Sequence, residues 1–119
     1  MAWNFTSDRP VYLQIAARIV MSVLSGEYAE GQQIPSVRQL ATIAAVNPNT
    51  VQHAFSDLED EGIIVSKGAL GRFVTEDIAI IENCRKKLAE ELVSDFLNKA
   101  KALSLDKNEL FKLLKEADL

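Results

Sequence analysis

His53 is the only histidine and Cys84 the only cysteine in the 119-residue chain. Neither can complete a metal site of clustered imidazoles and thiolates, which takes about four such ligands at close spacing. A lone imidazole with no second base beside it reads as a polar helix-surface side chain, and a lone thiol on an apolar stripe reads as packing. The single cysteine also excludes an intramolecular disulfide and fits a reducing cytoplasm. Asp57, Glu59, Asp60 and Glu61 lie close enough together to raise acid–base work or cation binding. Without a basic partner in the run, they read as a solvated helix end. There is no nucleophile with its base and no glycine-rich phosphate loop, so the chain reads as a non-enzyme that needs no cofactor or metal.

The chemistry that remains is polar and almost uncharged. Between Gln32 and Ser56 the only charged residue is Arg38. Asn47, Asn49, Thr50 and Gln52 fall within six positions of one another, and amides and hydroxyls of this kind suit the edges of bases and phosphates. Glutamine can pair bidentately with adenine, and an arginine can bridge two phosphate oxygens or read guanine. The next cations, Lys67 and Arg72, flank a turn containing Gly68 and Gly71. Net charge argues the other way, because 13 Lys and Arg stand against 17 Asp and Glu, for −4 overall. Distribution decides the matter: acids are excluded from one stretch, which can form a neutral-to-basic face inside an acidic chain.

These residues need elements to hold them. Pro10 opens a helix whose apolar positions Tyr12, Ile15, Ala16, Ile19, Val23 and Leu24 run to Gly26. Ser36 with Gln39 forms a capping box for a second, short helix that ends near Ala45. Asn47 caps a third, with Pro48 at its first position and Val51, Ala54, Phe55 and Leu58 as its buried stripe, stopped by Gly62. The stripe turns Asn49 and Gln52 outward. Ile63 to Val65 and Arg72 to Val74 read as strands around a turn, which makes a wing on a helix-turn-helix. Past Asp77, the residues Ile81, Cys84, Leu88, Leu92, Phe96, Ala100 and Leu103 are spaced as one long helix, and Asp106 with Glu109 caps a last one carrying Leu110, Leu113, Leu114 and Ala117.

The expected fold is therefore mainly α: a winged helix-turn-helix domain of three helices plus a β-hairpin wing over residues 1–76, then a two-helix hairpin over 77–119. So small a hairpin cannot enclose its own apolar stripe. Pairing with a second copy through Ile81, Cys84, Leu88, Leu92, Phe96, Leu103, Leu110 and Leu114 is the economical solution. No apolar run approaches the roughly 20 residues of a membrane span, and the first residues lack a signal-peptide layout, so a cytoplasmic protein is expected.

Four motifs occur in order: Ile34-Pro35-Ser36-Val37-Arg38-Gln39-Leu40-Ala41, Val46-Asn47-Pro48-Asn49-Thr50-Val51-Gln52-His53-Ala54-Phe55, Leu58-Glu59-Asp60-Glu61-Gly62-Ile63-Ile64 and Gly71-Arg72-Phe73-Val74. Together they resemble the amino-terminal domain of bacterial GntR-superfamily transcription regulators, and the Asn-Pro-Asn-Thr-Val-Gln run with a short helical tail resembles the YtrA subfamily. The resemblance implies a homodimer on double-stranded operator DNA with inverted repeats, usually a repressor, often of ABC transporter genes. It places Ser36, Arg38, Asn47, Asn49, Thr50, Gln52, His53, Lys67, Gly68 and Arg72 at the DNA-binding surface. The sequence departs from the family at Pro48 and Gln52, where many members carry arginine, and in the Gly68-Ala69-Leu70-Gly71 turn, one residue longer than the common form. Arg72 reads equally as a contact or as a strand-edge charge. Two other classes compete: a winged helix used for protein–protein contact, which the acidic balance would suit, and a small enzyme or ligand sensor, which the missing nucleophile, base and phosphate loop disfavour. With no sheet or barrel in the tail to surround a metabolite, an effector of unknown identity would act by shifting the spacing of the two winged helices.

Overall fold

The structure, a computed structural model, describes residues 2–119. It contains five α-helices, α1 Val11–Leu24, α2 Val37–Ala44, α3 Pro48–Asp60, α4 Ile78–Ala102 and α5 Lys107–Glu116, and two strands, β1 Ile64–Ser66 and β2 Arg72–Val74, set between α3 and α4. Its contacts divide it into two compact units, one ending at Asn83 and one spanning Cys84–Leu119. The first turns of α4 thus group with the winged unit, which ends seven residues beyond the 76 expected from sequence. No described helix is long and apolar enough to cross a membrane.

In the first unit α1 and α2 both pack on α3. Phe55, Ile15, Ile19, Leu40, Leu58, Ile64, Val51 and Val74 are its fully buried large side chains. Each such burial contributes on the order of 1.5–3 kcal/mol, and together they fix the angle between the helices. Both ends of α2 are locally specified. The Ser36 hydroxyl accepts from the Gln39 amide at 3.1 Å, while the Gln39 side chain accepts from the Ser36 amide at 2.9 Å. At the other end Ala45 turns the chain with φ 59°, and the Val46 amide closes back on the Ala41 carbonyl at 3.0 Å. The turn from α2 to α3 is therefore only Ala45, Val46 and Asn47 long.

α3 stops in the same way. The Gly62 amide reaches the Glu59 carbonyl and the Ile63 amide reaches Leu58, each at 3.0 Å. That closure consumes the Ile63 amide, so the strand begins at Ile64 and not at Ile63 as the sequence suggests. β1 and β2 are antiparallel, pairing Ile64 with Val74, Val65 with Phe73 and Ser66 with Arg72. The wing turn forms a short 3₁₀ turn over Gly68–Leu70, closed by the Lys67 amide on the Gly71 carbonyl at 2.8 Å. The segment between α1 and α2 lies along the free edge of β2. Gln33 bridges Phe73, the Ile34 amide donates to Arg72, and the Val74 amide donates to Gln32.

In the second unit α4 ends with Ser104 at φ 59°, the Leu105 amide on the Ala100 carbonyl and the Ser104 amide on Lys101. This closure of the last turn leads directly into the Asp106–Glu109 capping box of α5. Ala100 and Leu110 are buried where the two helices meet. Leu92, Val93, Phe96, Leu103, Phe111, Leu113 and Leu114 stay exposed.

Candidate nucleic-acid interface

α3 presents its front to solvent because its stripe of Val51, Ala54, Phe55 and Leu58 faces the core. Asn49 and Gln52 are exposed on the other side, and Thr50 is half-buried. Asn47 is the N-cap: its side-chain oxygen accepts from the Asn49 amide at 2.8 Å, which leaves its NH₂ free to donate. Pro48 has no amide proton, and the Thr50 and Val51 amides turn back to the Asn47 carbonyl. The start of α3 therefore offers an incoming phosphate side chains rather than free backbone amides, unlike an open helix N-terminus. Gln52 touches Ser56 only at 3.5 Å, so its amide is available.

Arg38 lies in the first turn of α2, exposed, and its guanidinium has no carboxylate or ring partner among the described residues. It shares an open groove on the outside of α2 with Pro35, Ser36, Gln39, Thr42 and Ile43. The Ser36 hydroxyl, already an acceptor for the cap, keeps its proton to donate. Two other cations of the winged unit rest on aromatic rings. Arg18 lies over the Trp3 ring at 4.0 Å, and Lys67 over Phe73 at 4.6 Å, so the wing-tip ammonium rests on the wing's own aromatic face.

Two residues expected at this surface have partners inside the chain. His53 stacks face to face on Tyr12 of α1, with ring centroids 3.5 Å apart and planes within 10°. Arg72 is half-buried, its Nε donating to Glu59 of α3 and its guanidinium 5.1 Å from the Phe55 ring. Gly68, at the wing tip, has φ +60° and open space around it.

Sequence reasoning missed three participants. Tyr12 was read only as part of an apolar stripe. Gln33 braces the wing by donating to the Leu70 carbonyl at 2.8 Å, and Gly71, at φ 104°, leaves it room: a Cβ there would sit 2.7 Å from the Gln33 amide nitrogen. Glu59 was read as one of a solvated cluster. The signal that could have exposed it is the absence of any basic residue in the last turn of α3, which leaves four acids at the negative end of the helix dipole in need of a cation from elsewhere.

In the second unit the expected stripe is covered unevenly. Ile81 of the first unit and Leu110 of the second are each 7% exposed and already enclosed by the chain, Cys84 and Leu88 are half-buried, while Leu92 at 70% and Leu103 at 73% are open. Leu92, Val93, Phe96, Leu110, Phe111 and Leu114 line an apolar groove of about 540 Å³.

Comparison with known proteins fits this geometry. The bacterial regulatory protein family gntR matches residues 11–74, from the first residue of α1 to the last of β2. The HTH-type transcriptional regulator YhcF of Bacillus subtilis is 36% identical over 112 residues, 94% of this chain and 93% of its own. The HTH-type transcriptional repressor YtrA of the same organism is 38% identical over 88 residues, covering 72% and 68%. Among solved structures, a GntR family regulator from Listeria monocytogenes superposes with a TM-score of 0.88 at 32% identity, over 96% of this chain and all of that one. The DNA-binding domain of AraR in complex with operator ORX1 matches at a TM-score of 0.56 and 26% identity, over 63% of this chain and 93% of that one.

Proposed function

The chain belongs to the GntR family of bacterial regulatory proteins and is a DNA-binding transcription regulator, not an enzyme, and we propose that it works in the cytoplasm as a homodimeric repressor of the YtrA-like branch, reading an inverted-repeat operator. The observation that carries the reading is the acid-free front of the helix-turn-helix. There an unpartnered Arg38 and the outward amides of Asn49 and Gln52 lie beside the capping Asn47 and Ser36, with no carboxylate between Gln32 and Ser56. Arg38 and the hydroxyl and amide donors Ser36, Asn47 and Thr50 hold phosphates; Gln52 and Asn49 read base edges in the major groove. Lys67 and Gly68 carry the wing tip toward the flanking groove.

Dimerisation falls to the tail, residues 77–119. Leu92, Phe96, Leu103 and Leu114, joined by Val93 and Phe111, expose apolar surface that a second tail would cover. Pairing there would set two recognition helices on half-sites about 34 Å apart or a multiple of that. Repression follows from occupancy, because a dimer seated on an operator within a promoter excludes polymerase. Genes of ABC transporters are the first targets to test. Selection of bound sequences from random duplex DNA tests the reading directly. An inverted repeat with a salt-sensitive affinity is expected, and recovery of no preferred sequence would overturn it. Sedimentation of the full chain and of Phe96→Asp tests the dimer, with the variant expected to run as a monomer at micromolar concentration.

A further inference from the structure

We propose that Arg72 is a positioning residue that sets the wing against the recognition helix through Glu59 and Phe55, and does not itself hold DNA. The inference rests on α3 being the DNA-reading element, and it assigns a role to two side chains that this reading leaves unexplained.

Arg72 opens β2 and pairs across the ladder with Ser66, the last residue of β1, so it stands at the outer end of the wing's hydrogen-bonded part. Its guanidinium points back to α3. There Nε donates to Glu59 and Cζ lies over the Phe55 ring, 5.1 Å from its centre, a ring with no solvent exposure. Phe55 and Glu59 are one helical turn apart, so both project from the same side of α3 and clasp the guanidinium between a carboxylate and an aromatic face. The side chains of Arg72 and Glu59 are only 24% and 30% exposed. Partial burial weakens screening and makes the pair more directional than a surface bridge. Lysine cannot reproduce this arrangement, because only a planar guanidinium stacks and donates edgewise at once.

The electrostatics of α3 point the same way. Asp57, Glu59, Asp60 and Glu61 crowd its C-terminal end, where the helix dipole disfavours negative charge, and no basic residue lies in its last turn. Arg72 supplies the missing cation from the wing. Beyond this clasp the wing is held by the β1 ladder, the edge pairing at Gln33 and the Gln33 side chain on Leu70. Those bonds fix the wing's internal shape, and the Arg72 clasp adds a side-chain tie from the outer end of the hairpin to the last turns of the helix that reads DNA.

The experiment uses full-length protein and a duplex that the wild type selects from a random pool, trimmed one base pair at a time until affinity drops. This defines a long duplex that the wing touches and a short one that it does not. Glu59→Gln is the decisive variant, because it removes the carboxylate charge that holds Arg72 and keeps the side chain's shape. It is expected to bind the long duplex roughly tenfold more weakly than wild type, the scale of one charge-assisted hydrogen bond, and the short duplex equally well. Arg72→Ala is expected to behave the same way, and the double variant no worse than either single one. In parallel, the Arg72 Nε–H resonance is expected to be shifted and slow to exchange in the wild type and to lose both features in Glu59→Gln. If Glu59→Gln binds the long duplex as well as or better than wild type, Arg72 is itself the DNA contact and the proposal fails. Equal losses on both duplexes would mean general destabilisation and would also overturn it. A wild type that selects no duplex would remove the DNA reading and this inference together.

Discussion

Replacing Arg38 with alanine separates the phosphate-holding surface from everything else in the domain. The side chain is exposed and meets no carboxylate or ring among the described residues, and the hydrogen bond at this position, from the Thr42 hydroxyl at 3.1 Å, goes to the backbone carbonyl that the variant keeps. Folding stability should therefore move by no more than about 0.5 kcal/mol. A hydrogen bond to a charged group contributes about 1.5–3 kcal/mol, so loss of the contact should weaken operator binding by roughly 10- to 150-fold at low salt. Neutralising one phosphate also contributes about 0.9 to the slope of log affinity against log salt. Between 50 and 200 mM salt that slope is worth about a factor of 3.5, so the wild-type advantage should shrink by that factor across the range. Fluorescence anisotropy titrations at four or more salt concentrations would measure both quantities. Parallel salt lines for wild type and Arg38→Ala would show that this guanidinium touches no phosphate, and the assignment of α2 as the anchoring helix would then be wrong.

Gln52→Ala should leave affinity for a pool of random duplexes almost unchanged but relax preference at one base pair per half-site by about 1–3 kcal/mol, visible when bound sequences are selected and counted. Ala45→Gly should stabilise the fold, because φ 59° is costly for a residue with a Cβ; after allowing for the entropy of glycine in the unfolded chain, the gain is about 0.5–1 kcal/mol, or roughly 2–4 °C in Tm by calorimetry. Burial, and then the neighbouring charge of Glu27, push the Tyr28 phenol above its usual 10.0. The unfolded chain therefore loses this proton first, so stability is full below about pH 10 and declines as pH rises toward the raised folded value. Tyr28→Phe should flatten that alkaline decline in urea melts, and an unchanged slope would contradict the burial argument.

What the sequence revealed and what it hid divide along sequence separation. Ser36 with Gln39, Asp106 with Glu109, and Asn47 followed by Pro48 each complete a cap within three residues, so all three helix starts are visible in the sequence and hold in the structure. The outward turn of Asn49 and Gln52 follows from the period of one helix. The pairing of Gln33 with Phe73, the stack of His53 on Tyr12 and the clasp of Arg72 by Glu59 join residues on different elements. No local period encodes them. Two consecutive glutamines show no alternation that would mark an edge strand, and Tyr12 looks the same in sequence whether its ring meets the core or an imidazole. The tail lies between these cases. Its stripe is legible, yet which of its members the chain itself covers depends on how α5 folds back, and that buries Leu110 while leaving Leu114 open.

The acidic balance of the chain then ceases to count against a DNA reader. From Asn49 to Asp60 is eleven residues along α3, roughly 16 Å at 1.5 Å per residue. At 0.1 M salt the screening length is about 10 Å, so a phosphate seated at the front of the helix is largely shielded from the carboxylates at its back. One of those carboxylates, Glu59, is further neutralised by Arg72. Along the front the formal charge is that of Arg38 alone. Pro48 and Gln52 add no charge to it, so little of the affinity comes from nonspecific attraction. In the proposed homodimer such a surface would depend on base contacts and on the second half-site to bind tightly at all. Discrimination between operator and bulk DNA is then carried by the few side chains that read bases, and the net charge of −4 further suppresses binding to the rest of the chromosome.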